Sequence, residues 1–452
     1  MTDSAVGPQL AALCEWIVAQ RWQDIPERVR QRARWVLADD LAAMVAAAPE
    51  PEVEAYRRLV AGRATRVEAS IIGPGLPGTD RWQAASANAL AASWCELDEG
   101  FRTVTCHAGL YVVPATLAEA EAAPLRLADA LRAVALAYEC VTRVACTFRF
   151  ASPTIHAHAL WSAIGAAAAT AIARNYDAAT LEGAITAAAT VASVGPRPHL
   201  IEGVLARNVW AAAGAVAGMQ CADWSACGIT GSASSPAAVY RDILHAVEDP
   251  RALTAGLGDR WSIESGFHKL YACCQHGHSA VEALLDLLAR RSVDPQRIVG
   301  IDAWTHPLAL SLANAEPTTS LGAKFSMPHM IAAPLAYGSA PAEAFSQRAL
   351  ADASVVRLRR LVRLHAHEGE LVPPFDRPSR IVLTMDDGER LTAECRSARG
   401  GPDRPLADDV LLAKIRLLSA PVLPGLAALV TQGDGFDERQ RWRDVLVRLA
   451  AG

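Results

Sequence analysis

Residues 161–194 read WSAIGAAAATAIARNYDAATLEGAITAAATVASV, an alanine-dominated run interrupted near its middle by Arg174, Asn175 and Asp177. That interruption decides what the run can be. A membrane-spanning helix needs about 20 consecutive apolar residues, and neither side of the break supplies them, so the stretch reads as two helices buried in a globular core. Asp177 stands where it can cap the second, AATLEGAITAAATVAS, by accepting the free backbone N–H groups of a first turn. Working outward, Leu10, Cys14, Ile17, Val18 and Trp22 fall at helical spacing, and so do Leu127, Leu131, Val134, Tyr138, Val141 and Val144. Alanine and leucine stay dense to about Gly256, and small side chains let helices approach closely. No period of 20 to 50 residues recurs, which argues against a solenoid.

The character changes after about Trp261. IVGIDAWTHPLALSL reads as a strand, and RIVLTM and RLTAEC read as a hairpin turned by Asp386-Asp387-Gly388. Helical periodicity returns in ADDVLLAKIRLL after residue 406. The predicted architecture is mainly α. A large all-helical domain begins in residues 1–260 and resumes in 405–452, with a smaller α+β domain, 261–404, inserted between the two parts.

The chain has 452 residues, which at roughly 150 per domain allows two or three domains. Hydrophobic residues make up 52 % and charged residues 20 %, enough to bury a sizeable core and too apolar for disorder. Lys plus Arg is 43 against 48 Asp plus Glu, a net charge of −5, so no cationic excess is available for nucleic acid. The opening MTDSAVGPQLAALCEW has neither a cationic start nor a continuous apolar stretch, so the expected location is the cytoplasm, with the ten cysteines reduced. No Cys-x-x-Cys occurs, which removes the common structural-zinc and iron–sulfur spacings. Only Lys269, Lys324 and Lys414 stand beside forty arginines.

Gly73-Pro74-Gly75-Leu76-Pro77-Gly78 matches the G-x-G-x-x-G string. A dinucleotide fingerprint needs a strand before it and a helix opening within it, however, and two prolines favour an irregular loop. G-x-S-x-G, Walker A and H-E-x-x-H strings are missing. Histidines carry the chemistry instead, because their ordinary pKa near 6.5 suits proton transfer. His107, and the pair His156 and His158, each precede a predicted buried helix, whose N-terminus favours an anion nearby. The densest constellation is His268-Lys269-Leu270-Tyr271-Ala272-Cys273-Cys274-Gln275-His276-Gly277-His278. It reads either as a carboxylate- and proton-handling site, with Lys269 as cation and Tyr271 as hydroxyl donor, or as a metal site drawing on the two thiols, His276 and His278, with His156 and His158. Lys324, Ser326 and His329 offer a partner segment to the first reading.

In order along the chain, these segments resemble the MmgE/PrpD family, which includes 2-methylcitrate dehydratase, cis-aconitate decarboxylase and iminodisuccinate epimerase. WQDIPERVRQRARWVLADDLAAMVAA is similar to the family's opening, and SANALAASWCELDEG to its helix leading into an acidic run. CHAGLYVVPATLAEAE, IHAHALWSAIGAAAA, HKLYACCQHGH and GAKFSMPHMIAAPL are similar to its His-Pro-Ser, His-Pro-Thr, Lys-Pro-Tyr-Pro-Cys-Cys and Lys-Phe-Ser-Leu-Pro-Tyr segments. The resemblance implies a large helical domain with an inserted α+β lid domain, a homodimer, a cleft between lid and helical body, and chemistry on a small polycarboxylate without cofactor or metal. By position, His107, His156 and Lys269 are the implied catalytic residues. Arg207, where the family often has lysine, and Glu96, Asp98, Tyr271, His158, Lys324 and His329 are the implied substrate-binding set.

The departures bear on substrate and reaction. The acidic run has become Glu96-Leu97-Asp98-Glu99-Gly100, with glycine where a hydroxyl residue is expected, and about one residue is inserted before His107. His158 replaces threonine and His329 replaces tyrosine. The expected function is a cofactor-independent lyase, in the first instance a dehydratase of a hydroxylated polycarboxylate. Decarboxylation or epimerisation of a related acid is the alternative in the same fold, and a non-catalytic dimeric ligand-binding protein is the alternative of another class.

Overall fold

Two helices, Ala157–Ala173 and Ala178–Thr190, occupy the alanine run, and the polar interruption is the turn between them. Arg174 leaves the first helix to form a bidentate pair with Glu119 at 2.8 and 2.6 Å. Asn175 takes a left-handed φ of 53°, a conformation that asparagine tolerates better than most residues. Asp177 caps the second helix by accepting the Thr180 N–H at 2.8 Å. The computed structural model describes residues 5–151, 154–431 and 436–452. Residues 1–4, the start of the stretch read for an export signal, and Ser152 and Pro153, ahead of His156, lie outside the described residues.

The helices that position the site are, in chain order, α1 (Glu27–Ala47), α2 (Arg81–Trp94), α3 (Ala108–Ala122), α4 (Leu127–Thr147), α5 (Ala157–Ala173), α6 (Ala178–Thr190), α7 (Val209–Ala226), α8 (His278–Arg290), α9 (Met327–Tyr337), α10 (Ala353–Leu361), α11 (Asp408–Ser419) and α12 (Trp442–Ala451). The centre is α5, wedged between α3 and α7 and buried along its whole length. Its neighbours come this close only where side chains vanish. A Cβ on Gly165 would lie 2.6 Å from the Tyr111 Cβ, and one on Gly218 would lie 2.3 Å from the Ala163 carbonyl oxygen. Alanine and glycine therefore do in this core what leucine does elsewhere: they let backbones touch, and dispersion contacts accumulate over many atoms at close range.

After residue 260 a mixed sheet appears, built from β1 (Ile298–Thr305), β2 (Val362–Ala366), β3 (Ser379–Met385) and β4 (Arg390–Cys395) in the order β4-β3-β1-β2. Only β1 and β2 run parallel. The β3–β4 hairpin pairs Thr384 with Arg390, and Gly388 turns it at a φ of 86°. IVGIDAWTHPLALSL is a strand only to Thr305. Pro307 then opens a short helix, Pro307–Leu310, because proline lacks the N–H a ladder needs and fits a first helical turn. The segment from Leu10 is likewise helical to Ala19, and Trp22 falls in a separate 3-10 turn. Helix α8 packs across β3 and β4 and against α9. Farther on, α11 packs on α1 and α12 against α3, so the chain's last helices lie on its first ones. Among the described residues no helix is long and apolar enough to cross a membrane.

The glycine-rich string 73–78 is a loop between two-residue strands, Ala69–Ser70 and Gly78–Thr79, and no helix opens within it. Gly218→Leu drives a side chain into α5 backbone that cannot move aside. It should lower stability by about 3 kcal/mol, read as a drop in the urea midpoint at unchanged slope; an unchanged midpoint would mean that α5 and α7 are not in backbone contact.

Candidate active site

The site is built on the frayed end of α2. The helix stops at Trp94, Cys95 caps it, and Glu96 then takes a left-handed φ of 54°, a position that glycine usually fills. The carbonyls left without helical partners are met by cations. Lys324 Nζ donates to Trp94 O at 2.9 Å, and Arg207 Nη1 donates to Ser93 O at 3.2 Å. Both suit a helix C-terminus, where the macrodipole is negative. The turn they hold aims Glu96, Asp98 and Glu99 inward, and all three are buried.

From this turn a chain of alternating charge crosses the interior. Arg207 Nη2 lies 2.5 Å from Glu96 Oε1, Lys269 Nζ donates to Glu96 Oε2 at 3.2 Å and to Asp98 Oδ1 at 2.9 Å, and Asp98 Oδ2 lies 2.6 Å from His107 Nδ1. Burial alone would raise both carboxyl pKa values. Arg207 and Lys269 overcome it at Glu96, and Lys269 with the His107 ring does so at Asp98, so both acids are held below their ordinary range. Burial would likewise lower the Lys269 ammonium, yet Asp98 and Glu96 hold it above its usual value. Glu96, Asp98 and Lys269 are thus charged because their neighbours are.

His107 and His156 are the N-cap residues of α3 and α5, and their ring centroids lie 6.5 Å apart. Hydrogen bonds give them opposite tautomers. Asp98 accepts the His107 Nδ1 proton, which leaves a lone pair on Nε2. His156 Nδ1 accepts the His158 backbone N–H at 3.2 Å, so in a neutral ring its proton sits on Nε2. Burial, then the Arg207 charge, push the His156 pKa well below its ordinary value, and the ring stays neutral. His158 packs edge-on against both rings, at 4.7 and 4.4 Å, and its Nδ1 shares a hydrogen with Tyr111 Oη at 2.9 Å. Burial and Arg207 hold it neutral as well.

Glu96, Lys269, His107 and His156 open onto a cavity of about 300 Å³. That volume is at the small end of ligand sites, about 300–1,000 Å³. Arg149, Arg197 and Arg377 stand around it, so its cations outnumber its one lining carboxylate, Glu96. Arg377 Nη1 is buried without a hydrogen-bond partner among the described residues, and burial, then Arg102, lower its pKa. Three helix starts also converge here: those of α3 and α5, and the turn Gln275–Gly277 that leads into α8. Helix N-termini and guanidinium forks together suit a bound polyanion.

The structure thus brings His107, His156, Lys269 and Glu96 to one cavity, with Asp98 and His158 directly behind them. Arg207 does not reach it. Its side chain is fully buried, stacked 5.2 Å from the Phe325 ring, and spent on Glu96 and the α2 terminus. Lys324 is a helix cap. Tyr271 packs against His278, and burial pushes its hydroxyl up to about 12. His329 bonds to Ala344 O at 2.8 Å and takes a hydrogen bond from Arg359 at 3.3 Å. The cluster read as a possible metal site is divided: His276 lines the cavity, whereas His278 turns to Cys273 O at 3.1 Å. Among the described residues no group of three or more His, Cys, Asp or Glu is arranged to hold a metal ion. Sequence reasoning passed over Arg149, Arg197 and Arg377 because forty arginines give no contrast; the only signal was proline after two of them, in GPRPHL and FDRPSR.

Behind His107 lies a second acid, Glu99. It accepts hydrogen bonds from Gly109 N at 3.1 Å and Tyr138 Oη at 2.5 Å, and burial pushes it up to about 7. Asp40, held well above its ordinary value by burial and Glu99, comes so close that a Cβ on Gly109 would lie 2.1 Å from Asp40 Oδ2.

Compared with known proteins, residues 11–255 match the MmgE/PrpD N-terminal domain, and residues 271–431 match the MmgE/PrpD C-terminal domain. A curated relative from Aspergillus oryzae, named cis-aconitate decarboxylase-like protein oryM, is 25% identical over 477 residues, covering 94% of this chain and 93% of the relative.

Two outcomes follow from these charges. Lys269→Met leaves Glu96 and Asp98 short of a buried counter-charge and should cost about 3–5 kcal/mol in urea unfolding; a cost near zero would mean that the charges are not interdependent. Glu99 keeps its proton in the folded chain up to about pH 7 and loses it near 4.5 in the unfolded chain, so its contribution to stability falls as pH rises through that interval. Glu99→Gln cannot ionise and should be more stable relative to the parent at pH 8 than at pH 5. Parallel pH curves for the two proteins would rule out the raised value.

Proposed function

The chain belongs to the MmgE/PrpD family, and from that premise we propose that it is a lyase acting on a small polycarboxylate by moving a proton at the carbon beside a carboxylate, in the first reading as a dehydratase. The observation that carries this is the pair of opposite histidine tautomers across a cavity lined by arginines. His107, with its lone pair on Nε2 and Asp98 behind Nδ1, is the base. Asp98 keeps the ring in that tautomer and offsets the positive charge that arises as it takes up a proton. His156, kept neutral, is a hydrogen-bond donor to the carboxylate oxygen on which charge collects, and Arg197 and Arg377 hold the substrate's carboxylates.

In dehydration, His107 Nε2 takes the proton from carbon, the freed electron pair becomes the new C=C bond, and the bond to the neighbouring hydroxyl breaks. The imidazolium then returns its proton to the departing hydroxide, which leaves as water. One group carries the proton both ways, because His156 and His158 are held neutral. The likeness to a relative named decarboxylase-like favours a second reading on the same residues. There the C–C bond to a carboxylate breaks, carbon dioxide leaves, and the electron pair left on carbon takes its proton from His107. That reaction must begin with His107 protonated, whereas dehydration must begin with it neutral.

The test is proton NMR in heavy water, with EDTA present, of the protein incubated with 2-methylcitrate, citrate or cis-aconitate. Loss of water, or of carbon dioxide with deuterium entering carbon, is expected. His107→Gln should lower turnover by about 100- to 10,000-fold at unchanged circular dichroism; full activity in that variant removes His107 as the base.

A further inference from the structure

The cavity has two unlike sides. Its polar side carries Lys269 and the histidines, with Arg197 and Arg377 near His276, whose ring burial and these two arginines hold neutral. Another part of its lining is a mostly apolar wall, with the exposed Arg149 beside it. Phe148, Phe150, Leu160 and Trp161 line it, and Tyr240 joins the rings from behind, with centroids 5.0 Å from Phe148 and 4.9 Å from Trp161; Phe150 lies 6.3 Å from Trp161. The Tyr240 hydroxyl is spent, since Tyr240 Oη donates to Leu160 O at 2.9 Å. Leu160 and Trp161 follow His156 by four and five residues on α5, so the wall begins about one helical turn, roughly 5 Å, from the proton-handling groups.

A substrate carrying carboxylates on every branch would fit one side only. On the other it would either set a charged group against four apolar side chains, at the cost of its hydration, or leave the wall facing water. We infer that the substrate is amphiphilic: a di- or tricarboxylate bearing an unbranched alkyl substituent of several carbons, its carboxylates at Arg197 and Arg377 and its chain along Phe148, Phe150, Leu160 and Trp161. The inference rests on the polycarboxylate reading above and narrows it. The wall selects for chain length, since each methylene buried there adds affinity, and the half-buried Phe150 is a specificity-determining residue.

Unreactive acids separate this from the reading it rests on. Isothermal titration of the intact protein with 2-methyl-, 2-butyl- and 2-hexylsuccinate should show the dissociation constant falling about three- to fourfold per methylene, or roughly 30- to 60-fold from methyl to butyl. Phe150→Ala should flatten that slope. Equal affinities across the series, or a slope that Phe150→Ala leaves intact, would overturn the amphiphilic assignment and leave the carboxylate site standing. Absence of binding by every member would overturn both.

Discussion

Everything at this site depends on one interior chain of ionisable groups, Arg207–Glu96–Lys269–Asp98–His107. Such a chain is not a source of stability in itself. Removing five ionisable groups from water is costly, and mutual attraction repays the cost only when every member has its partner. What the chain provides is position. Asp98 sits between a lysine and a histidine that both demand its oxygens, so the His107 ring has one orientation and one tautomer. Glu96, in a backbone conformation that glutamate adopts reluctantly, stays there because two cations hold its carboxylate.

The helical body makes that chain possible. Its ends are tied to helix termini: Arg207 and Lys324 meet the last carbonyls of α2, and His107 and His156 open α3 and α5. These termini converge within a few ångströms because α3, α5 and α7 touch through alanine and glycine. Larger residues would widen the helix spacing and pull the histidines apart. The same crowding buries the rings of His156 and His158, and burial together with Arg207 holds them neutral.

Around this rigid centre the cavity is asymmetric. Proline-flanked arginines from two different loops supply positive charge, and a four-ring aromatic cluster supplies apolar surface. Arg102 ties the loop before His107 to Asp376 and Asp403, so the loop that carries Arg377 is held against the helical body. The cavity-lining arginines therefore come from both halves of the chain, while His107 and His156 come from one.

Much of the fold was legible in the sequence because helical spacing, the Asp177 cap and the Asp-Asp-Gly turn are local, and local hydrogen bonding decides them. His107, His156, Lys269 and Glu96 were legible too, as scarce or reactive residues in recognisable segments. Roles were less so. Arg207 and Lys324 read as substrate-binding cations, yet they cap a helix; Tyr271 and His329 read as site residues, yet they pack in the interior; and three arginines that line the cavity were hidden among forty. The sequence alone determined which elements form and which side chains are chemically able to act, since both follow from residue type and short-range spacing. Only the tertiary structure decided which of those side chains share a cavity, because a cation's partner, a histidine's tautomer and an aromatic wall are set by groups tens to hundreds of residues away, brought together by packing that no local pattern specifies.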